Sequence, residues 1–186
     1  LPVRAEFLAA ARSPLSHGAK ILVTGGSLGA QILDDVVPGA IAAMRNKKVF
    51  VTHQTRPENV ARLQKFYADN KIRANVLSFV HDMAARIIDA DLVIGRSGAS
   101  TVVELQTVGR PAILVPLGIN TDQAANAAAF AKNGGGFAIL QDKFTARWLT
   151  ATLDELFNNP LRLDKMAAKA FVPNDAVEKI VAAVTK

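Results

Sequence analysis

The sequence predicts an α/β domain in which a parallel sheet is covered by helices on both faces. Short apolar runs alternate with helical patterns as far as Leu140, and such alternation marks βαβ units. Of the 186 residues, 50% are apolar and 20% charged, which suits one well-packed core at this length. From Thr145 onward only helical patterns remain, so the sheet is expected to be complete before that point.

Strands are expected at Lys20 to Thr24, Val49 to His53, Asn75 to Phe79, Leu92 to Gly95 and Ala112 to Pro116, with a weaker one at Phe137 to Leu140. Between them Leu33, Val36, Val37, Ala40, Ile41 and Met44 recur about every 3.6 residues, as do Val60, Leu63 and Tyr67, then Met83, Ile87 and Ile88. Pro38 falls inside the first pattern and predicts a kink or a shifted start. Gly134-Gly135-Gly136 reads as a helix stop before the last strand. The first 19 residues, with Pro2, Pro14 and Gly18, read as a linker or edge segment, leaving residues 20–186 as the domain.

Composition removes several classes of function. The chain has no cysteine, which excludes disulfides and thiolate metal sites and suits a reducing cytoplasm. His17, His53 and His81 lack any ligand spacing, so neither a metal nor another cofactor is expected. The net charge of +6 favours anionic partners. Its basic residues are nevertheless dispersed, apart from Arg45, Lys47 and Lys48, and one Tyr and one Trp offer little stacking surface. No nucleic-acid partner is expected. The longest apolar run, Ala112 to Ile119, contains Pro116 and falls short of the roughly 18 to 20 residues of a bilayer span. A start at Leu1-Pro2-Val3-Arg4, with neither an initiator Met nor a signal peptide, reads as internal to a longer polypeptide.

Ligands of open α/β sheets bind beyond the carboxyl ends of the strands, near the point where strand order reverses. The loops of interest are therefore Gly25 to Gly29, His53 to Arg56, Val80 to Asp82, Arg96 to Ser100 and Leu117 to Asp122. Gly25-Gly26-Ser27-Leu28-Gly29-Ala30 follows the first strand and opens a helix, so it suits a phosphate, or is a tight turn needing only glycine geometry. As a dinucleotide fingerprint it lacks the middle glycine, Ser27 standing there, and the second strand ends at His53-Gln54 without a carboxylate for a ribose. NAD is therefore disfavoured.

The most informative stretch is Arg96-Ser97-Gly98-Ala99-Ser100-Thr101-Val102-Val103-Glu104. A small-residue turn entering a helix admits a phosphate to its N–H groups, and Glu104 then lies within reach of a sugar diol. This outlines a nucleotide-sugar site. Gly95-Arg96-Ser97-Gly98-Ala99 also resembles a nucleophile elbow, but no His follows His81 to complete a hydrolase triad. Thr101 and Glu104 fit a capping box, and Asp122 fits an N-cap with Gln123 and Asn126 solvated. His53 and His81 end strands without a partner carboxylate indicated by spacing, and neither is assigned to catalysis.

Taken together, Leu1-Pro2-Val3-Arg4, Leu22 to Gln31, Val80-His81-Asp82-Met83-Ala84, Ala90-Asp91-Leu92-Val93, Arg96-Ser97-Gly98-Ala99, Gly109-Arg110-Pro111, and Gln123 with Asn126-Ala127 resemble the carboxy-terminal half of the bacterial MurG family. Those N-acetylglucosaminyltransferases convert lipid I to lipid II in peptidoglycan synthesis. The resemblance implies a GT-B enzyme with two Rossmann-like domains, this chain being the UDP-GlcNAc-binding one. It also implies that the amino-terminal domain, which would precede Arg4, takes the lipid acceptor and supplies the catalytic base. No catalytic residue is then expected here. By resemblance Arg4 and Ser27 hold the nucleotide and its diphosphate, and the Val80 backbone meets the uracil. Ala99, Ser100, Thr101, Val102 and Val103 wrap ribose and α-phosphate, Glu104 accepts from the ribose hydroxyls, and Gln123, with Asn126 beside it, reads the GlcNAc.

Leu28 stands where the family commonly has Gln, and the loop Leu117 to Thr121 is short. The resemblance places the whole enzyme in the cytoplasm, peripheral on the inner membrane, with membrane contact made only through the full-length protein. Two other readings of the same residues are a naturally separate donor-binding subunit of a split GlcNAc-transferase and a non-catalytic UDP-sugar sensor.

Overall fold

The computed structural model describes residues 1–26 and 29–174. Six parallel strands, β1 (Lys20–Thr24), β2 (Phe50–Gln54), β3 (Arg73–Leu77), β4 (Leu92–Gly95), β5 (Ala112–Leu114) and β6 (Gly136–Ala138), lie in the order β3-β2-β1-β4-β5-β6. The helices are α1 (Ala5–Ala9), α2 (Gln31–Ala42), α3 (Val60–Asp69), α4 (Met83–Asp89), α5 (Ala99–Val108), α6 (Thr121–Lys132), α7 (Ala146–Phe157) and α8 (Pro160–Ala170), with a 3₁₀ turn at Pro57–Asn59. The expected α/β class and two-faced parallel sheet are observed.

Alternation along β1 shows why both faces are covered. Ile21 and Val23 point into a core shared with Leu33, Val37 and Ile41 of α2, Leu63 and Tyr67 of α3, Leu149, Leu153 and Leu156 of α7, and Leu163 of α8. Leu22 points the other way, among Phe7 of α1, Ile87 of α4, Leu105 and Val108 of α5, and Phe130 of α6. A strand buried on both sides carries a continuous apolar run, and each residue is held by a different layer.

The boundaries shift where polar or backbone chemistry intervenes. β3 begins at Arg73 and ends at Leu77, so Phe79, expected in the strand, lies beyond it and is 60% exposed. Helix α2 runs through Pro38, which removes the bond to the Asp34 carbonyl without ending the helix. Gly136 opens β6 because nothing larger fits: a Cβ there would stand 1.8 Å from the Ala112 carbonyl oxygen.

The first 19 residues pack closely on the domain. Phe7 of α1 is fully buried. The Asp91 carboxylate, also fully buried, accepts from the N–H groups of Ser16 (2.7 Å), His17 (3.0 Å) and Lys20 (3.0 Å), and from the Ser16 hydroxyl. These bonds fix a turn in which His17 and Ala19 adopt φ of 54° and 53°. Arg110, only 1% exposed, donates to the carbonyls of Ser13 (2.7 Å), Pro14 (3.4 Å), Ile87 (3.2 Å) and Ile88 (2.5 Å). Burial pulls its pKa down, and the nearby charges of Asp91 and Asp89 oppose that shift. Asp91 and Arg110 thus tie the entering chain to the amino-terminal ends of β4 and β5.

Candidate nucleotide-sugar site

Strand order reverses between β1 and β4, which pair directly, Val23 beside Ile94 and Thr24 beside Gly95. The loops leaving these two strands therefore flank one crevice at the carboxyl end of the sheet. On one side Gly25 and Gly26 lead toward Gly29 and α2. A Cβ on Gly25 would stand 2.3 Å from the Ala30 nitrogen, and Gly26 and Gly29 have φ of 78° and 66°. Glycine is required here by both space and conformation. Ser27 and Leu28 lie outside the described residues.

On the other side Arg96, Ser97 and Gly98 lead into α5. The two helices share a feature at their starts. α2 begins after Ala30 and α5 after Gly98, and neither has a side-chain cap, which is also true of α1, α3 and α4, whereas Asn120, Thr145 and Asn159 cap α6, α7 and α8. First-turn N–H groups have no acceptor within their own helix. Two such ends, each carrying about half a positive charge, border the same crevice.

This geometry corrects two of the capping assignments. The N-cap of α5 is Gly98, so Thr101 sits inside the helix and forms no capping box with Glu104. The N-cap of α6 is Asn120, whose Oδ1 accepts from Gln123 N–H at 2.9 Å; Asp122 lies within the first turn.

Glu104 occupies the second turn of α5, its side chain 18% exposed, with Oε1 3.6 Å from Arg4 Nη2. Burial raises its pKa, while the charge and hydrogen bond of Arg4 oppose the rise. The structure thus brings Arg4 and Glu104 together. Ala99 and Ser100 are exposed at the helix start and Thr101 is half-buried. Val102 is buried in the core, so only its backbone can meet a ligand. Val103 lines a groove with Leu1, Gln106 and Val172. Val80 turns its side chain inward, 6% exposed, and its neighbours Phe79 and His81 meet edge to face with ring centroids 4.7 Å apart.

Gln123 acts through both its backbone and its side chain. Its carbonyl accepts from the Ser97 hydroxyl at 2.7 Å, and its Oε1 accepts from Leu117 N–H at 3.0 Å. Asn126 donates to the Ser97 carbonyl at 3.1 Å. Ser97 is fully buried, and its role is to latch the β4–α5 loop onto α6. Arg96 reaches across to the carbonyls of Val115 (3.0 Å) and Pro116 (3.1 Å) and to Gln141 Oε1 (3.0 Å), holding the ends of β5 and β6 against the same loop.

One cluster near this end of the sheet goes beyond the sequence reading. His53, fully buried, has Nε2 3.1 Å from Asp34 Oδ1 and Nδ1 2.9 Å from the Tyr67 hydroxyl. Asp34 Oδ2 accepts from Thr55 Oγ1 at 2.6 Å and Asn59 Nδ2 at 2.8 Å. Burial alone would raise the Asp34 pKa, but the hydrogen bonds of His53, Thr55 and Asn59 and the His53 charge outweigh it and the net shift is downward. Burial and the Asp34 charge push the Tyr67 hydroxyl upward. The partner carboxylate of His53 was detectable in principle: Asp34 lies on the apolar stripe of α2, between Leu33 and Val37, where a carboxylate needs buried partners.

Residues 20–182 match the model of the glycosyltransferase family 28 C-terminal domain. The chain belongs to that family. The family 28 chain is 44% identical over 179 residues to the UDP-N-acetylglucosamine–N-acetylmuramyl-(pentapeptide) pyrophosphoryl-undecaprenol N-acetylglucosamine transferase of Mesorhizobium japonicum, covering 91% of this chain and 48% of that protein. The protein of the same name from Nitrobacter hamburgensis is 40% identical over 197 positions, covering 100% of this chain and 53% of the relative. The family 28 chain thus spans about half the length of the curated relatives it matches. The crystal structure of Acinetobacter baumannii MurG superposes with a TM-score of 0.85 at 32% identity, over 100% of this chain and 57% of that one. The glycosyltransferase VinC, solved with dTDP, shares the fold at 18% identity and TM-score 0.63, over 98% of this chain and 44% of its own. The expected MurG-family, GT-B assignment is borne out.

Proposed function

We propose that this family 28 chain is the donor-binding half of an inverting glycosyltransferase, taking UDP-GlcNAc and delivering GlcNAc to lipid I to form lipid II. The observation that carries the reading is that the loops after the adjacent strands β1 and β4 leave the sheet at the strand-order reversal and lead into the starts of α2 and α5, with Glu104 in the second turn of α5. Residues 20–186 form the donor domain in this reading, and residues 1–19 join it to the acceptor-binding half. The N–H groups at α2 and α5 hold the diphosphate, with Ser27 contributing from the glycine turn. Glu104 accepts from the two ribose hydroxyls, and the Val80 backbone pairs with the uracil. Ala99, Ser100, Thr101, Val102 and Val103 follow the ribose and α-phosphate through their backbone. Gln123, its Oε1 held by Leu117 N–H, donates from Nε2 to a GlcNAc hydroxyl. Arg4 lies beside Glu104 at the entrance of the segment joining the halves.

The C4 hydroxyl of the muramyl sugar attacks GlcNAc C1, its proton passing to a base on the other half, and UDP departs with inversion to give a β-1,4 linkage. The protein half described here stabilises the departing charge with dipoles already in place, which costs little reorganisation. No helix among the described residues is long and apolar enough to cross a membrane. The lipid acceptor is met, in this reading, by the whole enzyme at the cytoplasmic face of the membrane.

Titration of the chain with UDP-GlcNAc is expected to give saturable one-to-one binding, with ADP-GlcNAc binding at least tenfold more weakly. Mixing in the amino-terminal half of a relative should then yield GlcNAc transfer to a lipid I analogue. Equal binding of the two sugars, or none, would overturn the donor assignment. Donor binding without transfer would favour a sensor.

A further inference from the structure

The β2–α3 loop crosses the glycine turn. A Cβ on Gly29 would stand 2.9 Å from Arg56 Cγ, 3.4 Å from Arg56 N and 3.8 Å from Arg56 Nε. The stem of Arg56 therefore lies against the turn that opens α2, while its side chain remains exposed. Its backbone is clamped on both sides. Thr55, 2% exposed, and Asn59 both donate to Asp34 Oδ2, and Asn59 N–H donates to the Arg56 carbonyl at 2.9 Å. Asp34 itself belongs to α2. The buried Asp34–His53–Tyr67 cluster thus locks the loop carrying Arg56 to the helix whose N-terminus borders the crevice.

We propose that Arg56 is a diphosphate-binding residue of the donor site, and that Asp34 is the positioning residue that holds it there through Thr55 and Asn59. The inference rests on the donor reading above and adds a full charge to it. Two helix starts together offer about one positive charge, which does not match a doubly charged sugar diphosphate. A guanidinium supplies the balance, with a planar fork that suits two phosphate oxygens.

The test measures UDP and uridine binding by the chain and its variants. In Arg56→Gln, UDP is expected to bind about 10- to 100-fold more weakly, with uridine unchanged. Arg56→Lys should fall between, because an ammonium keeps the charge and loses the fork. Thr55→Val, which removes one tether to Asp34 at similar volume, is expected to weaken UDP roughly 3- to 10-fold and leave uridine alone. Unchanged UDP binding in Arg56→Gln would overturn the proposal while leaving the donor reading intact. Equal losses of UDP and uridine in Thr55→Val would overturn the positioning role. Failure of the unsubstituted chain to bind either ligand would remove the donor reading and this inference together.

Discussion

Glu104→Ala is expected to weaken UDP-GlcNAc binding by about 100-fold. A carboxylate accepting from two ribose hydroxyls makes charge-assisted bonds of about 1.5–3 kcal/mol each, and alanine replaces neither. The variant also releases Arg4, which offsets little. That ion pair spans 3.6 Å with Arg4 half exposed, and pairs of this kind contribute about 0–1 kcal/mol. The same carboxylate predicts a pH dependence. Burial raises the Glu104 pKa above the ordinary glutamate value, and only the ionised form accepts from both hydroxyls. Donor affinity is therefore full above the raised pKa and falls as pH drops through it, at a higher pH than an unperturbed glutamate would give. Calorimetric titrations from pH 7 downward, with Glu104→Gln as the variant lacking this titration, would check both the loss and its sign.

Arg110→Ala is expected to cost about 3–5 kcal/mol of stability, lowering the midpoint of thermal unfolding by roughly 10 °C or more for a chain of this size. The guanidinium is fully buried and serves four carbonyls from the entering segment and the end of α4. Alanine would leave those acceptors unsatisfied around a cavity and strand the negative charge of Asp91 nearby. Lysine cannot span the same carbonyls and should recover less than half of the loss. Below its unfolding transition the Arg110→Ala protein should still bind the donor, because Arg110 precedes β5 while the crevice lies past the strands' carboxyl ends. A midpoint shift under about 3 °C in thermal unfolding would contradict this role.

The two residues illustrate how far the amino-acid pattern can be followed. The strands and the loops beyond them were legible because a parallel strand buried on both faces must be a short continuous apolar run, as Ile21 to Val23 and Leu92 to Ile94 are. Arg96 to Glu104 stood out for a similar reason, since small residues between strand and helix have a limited set of uses. Capping was less legible. Asn120 and Asp122 are both good caps, and only the direction in which the Leu117–Asn120 turn closes selects Asn120. Long-range polar partners were not legible at all: Asp91 serves Ser16 across 75 positions, and Arg110 serves Ser13 across 97. Their chemistry is visible in the residue types, but their partners are set by the tertiary fold. His53 lies between these cases, its need for a partner hidden until β2 proved to be buried and Asp34 proved to face it.

The most direct test of the central claim is a map of backbone amide shifts during a UDP-GlcNAc titration. The donor site predicts the largest changes at Gly25, Gly26 and Gly29, around Val80, from Gly98 to Glu104 and at Gln123, converging on one dissociation constant. Another concavity, of about 190 Å³ between Arg12, His17, Gly109 and Asp164, belongs to the amino-terminal ends of the strands and should stay silent. Changes centred there, or none along Gly98 to Glu104 at saturating donor, would contradict the account.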